Sequence, residues 1–261
     1  MKIKIYQVDA FADSVFTGNP AAVCPLEDKW LDDSTMQNIA SENNLSETAF
    51  YIFSKGKYSI RWFTPLKEVD LCGHATLASG YVQFFHENYT GNIIEFGSKS
   101  GILGIRKDKE YLTMDFPSDE ISKVEKPDSI SDGFSIKPAE IYKGKSDYLL
   151  IYNKEEDILN IKVDLEILKK TDCRGFIISA RGKSSDFVSR FFAPAFGVNE
   201  DPVTGSAHTT LTPYWSRILN KNELTAIQLS ARKGFLICKN LGTRIEISGK
   251  AQLYMQGEIN I

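Results

Sequence analysis

Apolar and polar positions alternate with a period of two over much of this 261-residue chain. The segments K-I-K-I-Y-Q-V (2–8), T-A-F-Y-I-F (48–53), S-I-R-W-F (59–63), N-I-I-E-F (92–96) and Y-L-T-M-D-F (111–116) read as strands. So do Y-L-L-I-Y (148–152), F-I-I-S-A (176–180), V-S-R-F-F (188–192), G-F-L-I-C (234–238) and R-I-E-I-S (244–248). Gly, Asn, Asp or Lys turns separate most of them. Helical patterning is sparse. L-D-D-S-T-M-Q-N-I-A-S-E-N (31–43) carries acids and Ser at its start and apolar Met36, Ile39 and Ala40. H-A-T-L-A-S-G-Y-V-Q-F-F (74–85) is apolar nearly all round, which predicts a buried helix. S-A-H-T-T-L-T-P-Y-W-S-R-I-L (206–219) is its counterpart, with Pro213 expected to distort the middle. D-L-E-I-L-K-K (164–170) predicts a short surface helix.

The order is many strands and one buried helix, then the same again. R-W-F-T-P (61–65) leads to D-L-C-G-H-A-T (70–76), and R-F-F-A-P (190–194) leads to D-P-V-T-G-S-A-H (201–208). Arg61 and Arg190 stand 129 residues apart, close to half the chain. The spacing is inexact: Asp70 lies nine residues after Arg61, and Asp201 eleven after Arg190. Strand, proline loop, Asp, Gly and apolar helix nevertheless recur in order, which points to a duplicated domain. The expected domains are 1–118 and 119–261, with the break in the stretch F-P-S-D-E-I-S-K-V-E-K-P (116–127). A last strand near 253–261 can return to the first domain.

Composition narrows the classes. Hydrophobic residues make up 42% and charged residues 25%, enough to bury a core without disulfides or metals. A net charge of −3 gives no basic face for nucleic acid. The densest basic cluster, at 123–127, is mixed with acid and reads as a solvated loop. No stretch reaches the ~18 apolar residues of a membrane helix. The opening M-K-I-K-I-Y-Q-V-D-A-F lacks the apolar core of a signal peptide. Cys24, Cys72, Cys173 and Cys238 show no CxxC or Cys/His zinc spacing. Reduced thiols in the cytoplasm are the expectation. Cys24, Cys173 and Cys238 sit in apolar runs and read as core, and His86 as the C-terminal cap of the first buried helix. G-K-S-S (182–185) has Ile177 where a phosphate-binding loop needs its first Gly, so it reads as a hairpin tip.

Candidate chemistry gathers at the two repeated glycines. A helix start presents unpaired N–H groups and the positive end of the dipole, which suits a carboxylate or phosphate. Gly73 and Gly205 let a ligand approach the backbone closely. If the halves are related by a pseudo-twofold axis, both helix starts can hold one small anion. The alternative is two ordinary helix starts capped by Asp and Ser.

G-N-P-A-A-V-C (18–24), L-S-E-T-A-F (45–50), R-W-F-T-P (61–65), D-L-C-G-H-A-T (70–76), R-F-F-A-P (190–194) and E-D-P-V-T-G-S-A-H (200–208) together resemble the phenazine-biosynthesis PhzF-like family. The resemblance runs in order across essentially the whole chain. It implies an α+β, diaminopimelate epimerase-like fold of two pseudo-symmetric domains, each a β-barrel-like sheet around a central helix. It also implies a homodimer and a small carboxylate substrate held between the domains. The activity implied is that of an isomerase moving a proton without metal or organic cofactor.

Residue by residue, the resemblance makes Glu47 of S-E-T-A-F the general base. Desolvation in a cleft would raise its pKa towards a value useful for proton shuttling. His74 would bond the substrate or assist proton delivery, although a helix-start His satisfied by backbone reads the same in sequence. Asp201 resembles the family's polar partner, against a plain turn Asp before Pro202. Gly73, Gly205 and Ser206 would offer N–H groups and a hydroxyl to the substrate. Asn19 either lines the cleft or simply makes the G-N-P turn. Cys72 stands where diaminopimelate epimerase and proline racemase place the first of two facing cysteines, but Pro202 and Val203 stand at the matching place of the second half. Cys72 with Glu47 as an epimerase pair, or a non-catalytic protein that binds a small acid, are the rival readings.

Overall fold

The computed structural model describes residues 1–125, 130 and 132–261. The chain forms two compact units: Met1–Asp115 with Ser248–Ile261, and Phe116–Ile247. The elements run β1 (Lys2–Ala10), β2 (Asn19–Pro25), α1 (Asp33–Asn43), β3 (Glu47–Ser54), β4 (Lys57–Phe63), β5 (Glu68–Val69), α2 (Gly73–Phe85), β6 (Ile93–Ser98), β7 (Gly101–Asp108) and β8 (Tyr111–Pro117). They continue with β9 (Ser122–Val124), β10 (Glu140–Lys143), β11 (Asp147–Ile151), α3 (Glu155–Asn160), α4 (Leu165–Leu168), β12 (Gly175–Arg181), β13 (Phe187–Ala193) and β14 (Val198–Asp201). Last come α5 (Gly205–Leu219), β15 (Glu223–Gln228), β16 (Gly234–Asn240), β17 (Arg244–Gly249) and β18 (Ala251–Asn260). This is a sheet-dominated α+β architecture with few helices.

In the first unit β1 pairs antiparallel with β2, β2 parallel with β3, β3 antiparallel with β4, β4 parallel with β6, and β6 antiparallel with β7. β18 adds to the free side of β1. In the second unit β10, β11, β12, β13, β15 and β16 repeat that series: antiparallel, parallel, antiparallel, parallel, antiparallel. Parallel neighbours need a long crossover, and helices lie in each one. α1 and α2 do so in the first unit, α3 with α4 and then α5 in the second.

The sequence patterning explains this placement. α2 is apolar nearly all round because the sheet wraps it: it packs on β1, β2, β3, β7 and β18. Ten of its thirteen residues are buried, so its polar side chains must find partners in the protein. Thr76 Oγ1 donates to the Cys72 carbonyl at 2.5 Å, and Ser79 Oγ to the Ala75 carbonyl at 2.8 Å. α5 does the same with Thr212 Oγ1 and the His208 carbonyl at 2.6 Å. Trp215 of α5 stacks on Phe187 and donates Nε1–H to Ser179 Oγ at 2.9 Å.

Several expectations need correction. The helix α5 continues through Pro213. A proline there leaves the Thr209 carbonyl without its helical donor. The Asp119 N–H takes that carbonyl at 3.2 Å, and Thr210 Oγ1 donates to Asp119 Oδ2 at 2.8 Å. The cluster at 123–127 is not simply a loop, since Lys123 and Val124 belong to β9; Lys126 and Pro127 lie outside the described residues. Cys24 and Cys238 are core, but Cys173 is only partly buried, in the turn before β12. β2 was hidden by its two prolines, which strands usually avoid. No cysteine forms a disulfide. Among the described residues no helix is long and apolar enough to cross a membrane.

The turn into β2 depends on Gly18, whose φ is +69°. A Cβ there would lie 2.2 Å from the Ala10 carbonyl oxygen and 2.8 Å from Ala12 Cβ. Both strain and clash oppose any side chain. Gly18→Ala is therefore expected to cost at least ~2 kcal/mol in urea unfolding; a change below about 0.5 kcal/mol would show that the turn is not under this constraint.

Candidate active site

Strand register brings the first cluster together. β2 and β3 run parallel with Ala21 opposite Glu47, so Asn19 and Glu47 lie at neighbouring strand starts. The α2 start delivers Cys72 and His74 to the same place. Asn19 is wholly buried, His74 and Cys72 are 6% exposed, and the Glu47 side chain is 18% exposed. Asn19 is thus not a surface turn residue: it begins a buried strand.

His74 is the hub. Asn19 Nδ2 lies 3.3 Å from its Nδ1, and Cys72 Sγ lies 3.6 Å from the same nitrogen. A carboxamide nitrogen and a thiol both donate, so with Asn19 oriented this way Nδ1 is the acceptor and Nε2 carries the proton. That Nε2 sits 3.2 Å from Glu47 Oε2, a close contact short of an aligned hydrogen bond. Burial pushes the His74 pKa down from 6.5 to about 3. A carboxylate nearby pulls the other way, but burial prevails and the ring is neutral near pH 7. The ligating atoms of Glu47, Cys72 and His74 all lie within 4.8 Å of one another.

Neither buried helix is capped by its own N-cap side chain: Cys72 and Thr204 make no such bond. In the second unit Asp201 ends β14, and its Oδ2 accepts from Thr204 Oγ1 at 2.6 Å. Gln228 closes the loop, accepting from the Thr204 N–H at 2.9 Å and donating to the Asp201 carbonyl at 2.7 Å. Ser206 Oγ accepts from Arg174 Nη1 at 3.0 Å. Arg174 forks onto the buried Asp147, with Nε to Oδ1 at 2.8 Å and Nη2 to Oδ2. Gly205 begins α5 beside Ser206.

The structure therefore gathers Asn19, Glu47, Cys72, Gly73 and His74 in the first unit. It gathers Asp201, Gly205 and Ser206 in the second. Sequence reasoning missed Arg174, Asp147 and Gln228, which lie some twenty to sixty residues from Ser206 along the chain. It also named the two repeated arginines without seeing their task. Arg61 forks onto Glu68 at 2.8 and 2.9 Å, and Arg190 onto Glu200 at 2.7 and 2.9 Å. Each fork ties a long strand to the short strand that feeds a helix start, and bidentate pairing fixes its direction.

The family model described as phenazine biosynthesis-like protein, PhzC-PhzF, matches residues 8–257. An uncharacterized isomerase of Pseudomonas aeruginosa is 50% identical, with 100% of both chains covered. The crystal structure of a PhzF family phenazine biosynthesis protein of Enterococcus faecalis is 45% identical, with a TM-score of 0.97 over 100% of both chains. A hydroxyproline epimerase of Agrobacterium vitis shares the fold alone, at 8% identity and a TM-score of 0.62 over 99% of this chain and 92% of that one.

His208 offers a test of the buried helix starts. It is fully buried, and its Nδ1–H donates to the Thr204 carbonyl at 2.9 Å. Burial lowers its pKa from 6.5 to about 4, against the opposing pull of that carbonyl. The unfolded chain then binds more protons between these values, so its contribution is complete above pH 6.5 and is lost as pH falls through 4. The amount is on the order of 3 kcal/mol. Urea unfolding at pH 7 and pH 4.5 (roughly the two ends of that window) should show a smaller loss of stability in His208→Leu than in wild type; an equal loss would mean that His208 does not titrate this way.

Proposed function

Because the chain belongs to the phenazine biosynthesis-like protein family, we propose that it is an isomerase moving a proton on a small carboxylate, with Glu47 as the base. The observation that carries this is the Glu47–His74 contact of 3.2 Å beside a buried neutral ring. Glu47 takes a proton from substrate carbon, the C–H electron pair delocalises towards the carboxylate, and Glu47 returns the proton to another carbon. His74 keeps its proton throughout. A neutral Nε2–H within 3.2 Å of Oε2 can orient the carboxylate without neutralising it, the bond becoming aligned in the substrate complex. Of the two roles expected for His74, hydrogen bonding or proton delivery, this reading takes the first: with a pKa of about 3 the ring is no cation near pH 7 and has no second proton to release. No metal or organic cofactor enters these steps. Gly73 is assigned to the substrate through its N–H, and in the second unit Gly205 and Ser206 through N–H and hydroxyl. Asp201 supports the developing charge through polar contact. A homodimer belongs to the same proposal, by family resemblance.

The rival epimerase needs Cys72 and Glu47 on opposite faces of one carbon. Two groups each ~3–3.5 Å from that carbon stand roughly 6–7 Å apart. Here they lie within 4.8 Å of each other. That favours a single base which removes and returns the proton.

The test is deuterium incorporation from heavy water into a panel of small carboxylates: dihydro-hydroxyanthranilate, diaminopimelate, proline derivatives and common amino acids. Wild type should label one carbon of its substrate. Glu47→Gln should slow labelling by ~10²–10⁴-fold and His74→Asn by roughly tenfold or more. Labelling that survives Glu47→Gln but ends on thiol alkylation would assign the base to Cys72. Thermal stabilisation by a panel compound with no labelling would identify a binding protein.

A further inference from the structure

The cluster of Glu47, Cys72 and His74 presents a carboxylate, a thiol and an imidazole to one point. We propose that these three side chains form a site for a single zinc ion, and that zinc and substrate exclude each other there. The set is chemically complete. Thiolate, imidazole and carboxylate are zinc's ordinary protein ligands, and three of them leave a fourth position open. Their charges sum to −2 once the thiol is ionised, so a zinc ion makes the buried cluster neutral. Cys72 is the N-cap of α2, and a helix start favours the thiolate.

The distances fit. Tetrahedral zinc with bonds of ~2.0–2.3 Å separates its ligand atoms by about 3.3–3.7 Å. His74 Nε2 and Glu47 Oε2 are already 3.2 Å apart. One donor atom of each residue lies within 4.8 Å of the other two; Cys72 Sγ, now 3.6 Å from Nδ1, reaches an ion on Nε2 by rotation about its Cα–Cβ bond. The outer contact is also in place. Zinc on Nε2 leaves Nδ1 carrying the proton, and a half-turn of the Asn19 carboxamide presents its oxygen to that N–H. Such a bond fixes a ligating histidine. Sequence reasoning could not see the site, because C-G-H is too short a spacing for a zinc motif and the third ligand lies 25 residues earlier.

Binding stands on this geometry alone; the exclusion of substrate rests on the reading of Glu47 as the base. The experiment titrates the full chain with cobalt(II), a coloured stand-in for zinc, and then displaces it with zinc. One equivalent should give a thiolate-to-cobalt charge-transfer band with tetrahedral ligand-field bands. Cys72→Ser should abolish the charge-transfer band. Glu47→Gln and His74→Asn should each weaken zinc binding by roughly tenfold or more. Cys173→Ser, at the partly exposed thiol outside the cluster, should leave the spectrum unchanged. A missing band, a band that survives Cys72→Ser, or one lost in Cys173→Ser would overturn the site. In the deuterium assay, zinc should stop labelling and a chelator should restore it. Labelling by a protein carrying a full equivalent of zinc would overturn the exclusion. A cobalt band in a protein that labels nothing would leave the metal site standing and count against the isomerase reading instead.

Discussion

Burying an imidazole beside a carboxylate fixes most of what the first helix start can do. The ring of His74 is shut away from water, and the cost of charging it there exceeds what its neighbours return. Once neutral, it must choose a tautomer, and Asn19 and Cys72 decide that choice by both donating to Nδ1. The remaining proton then sits on the nitrogen that lies 3.2 Å from Glu47 Oε2. A carboxylate aimed by a neutral donor keeps its charge and its basicity, whereas an imidazolium in the same place would hold it in an ion pair. The chemistry proposed for Glu47 is thus a consequence of desolvation at its neighbour.

That arrangement is built by the backbone. Parallel pairing of β2 with β3 sets Asn19 near Glu47, and the crossover after β4 brings the α2 start to the same end. The Arg61–Glu68 fork holds β5 in position just before the helix begins. The second unit uses the same series of pairings and its own fork, Arg190 with Glu200, but arms the helix start differently. There Thr204, Asp201 and Gln228 lock one another, and Arg174 reaches Ser206 from before β12. The same framework carries a titratable cluster in one unit and a hydrogen-bonded cradle in the other.

Period-two alternation was enough to locate most of the central strands, and continuous apolarity was enough to mark α2 and α5 as buried. What escaped were elements whose residues look wrong in isolation. β2 carries Pro20 and Pro25, so it does not alternate cleanly; the last strand, expected near 253–261, is β18, although it exposes most of its middle. The partner of the carbonyl that Pro213 leaves free, the Asp119 N–H, could not be read locally because it lies far away in the chain. The same reason hid Arg174 and Gln228: nothing local marks a residue whose partner is dozens of positions distant. Asn19 was legible as a turn but not as a hydrogen-bond donor to His74, because that role comes from strand register and not from the G-N-P motif. Glu47, Cys72 and His74 stood out through motif resemblance; their mutual distances are supplied only by the fold.

The account rests on the state of one ring, and nitrogen-15 NMR of labelled histidine reads that state directly. Followed from about pH 8 to about pH 5, the range in which an ordinary histidine titrates, His74 should remain a neutral Nε2–H tautomer throughout. A midpoint near the ordinary 6.5, or a proton resting on Nδ1, would contradict the account, because Glu47 would then face either a counter-ion or a lone pair instead of a neutral donor.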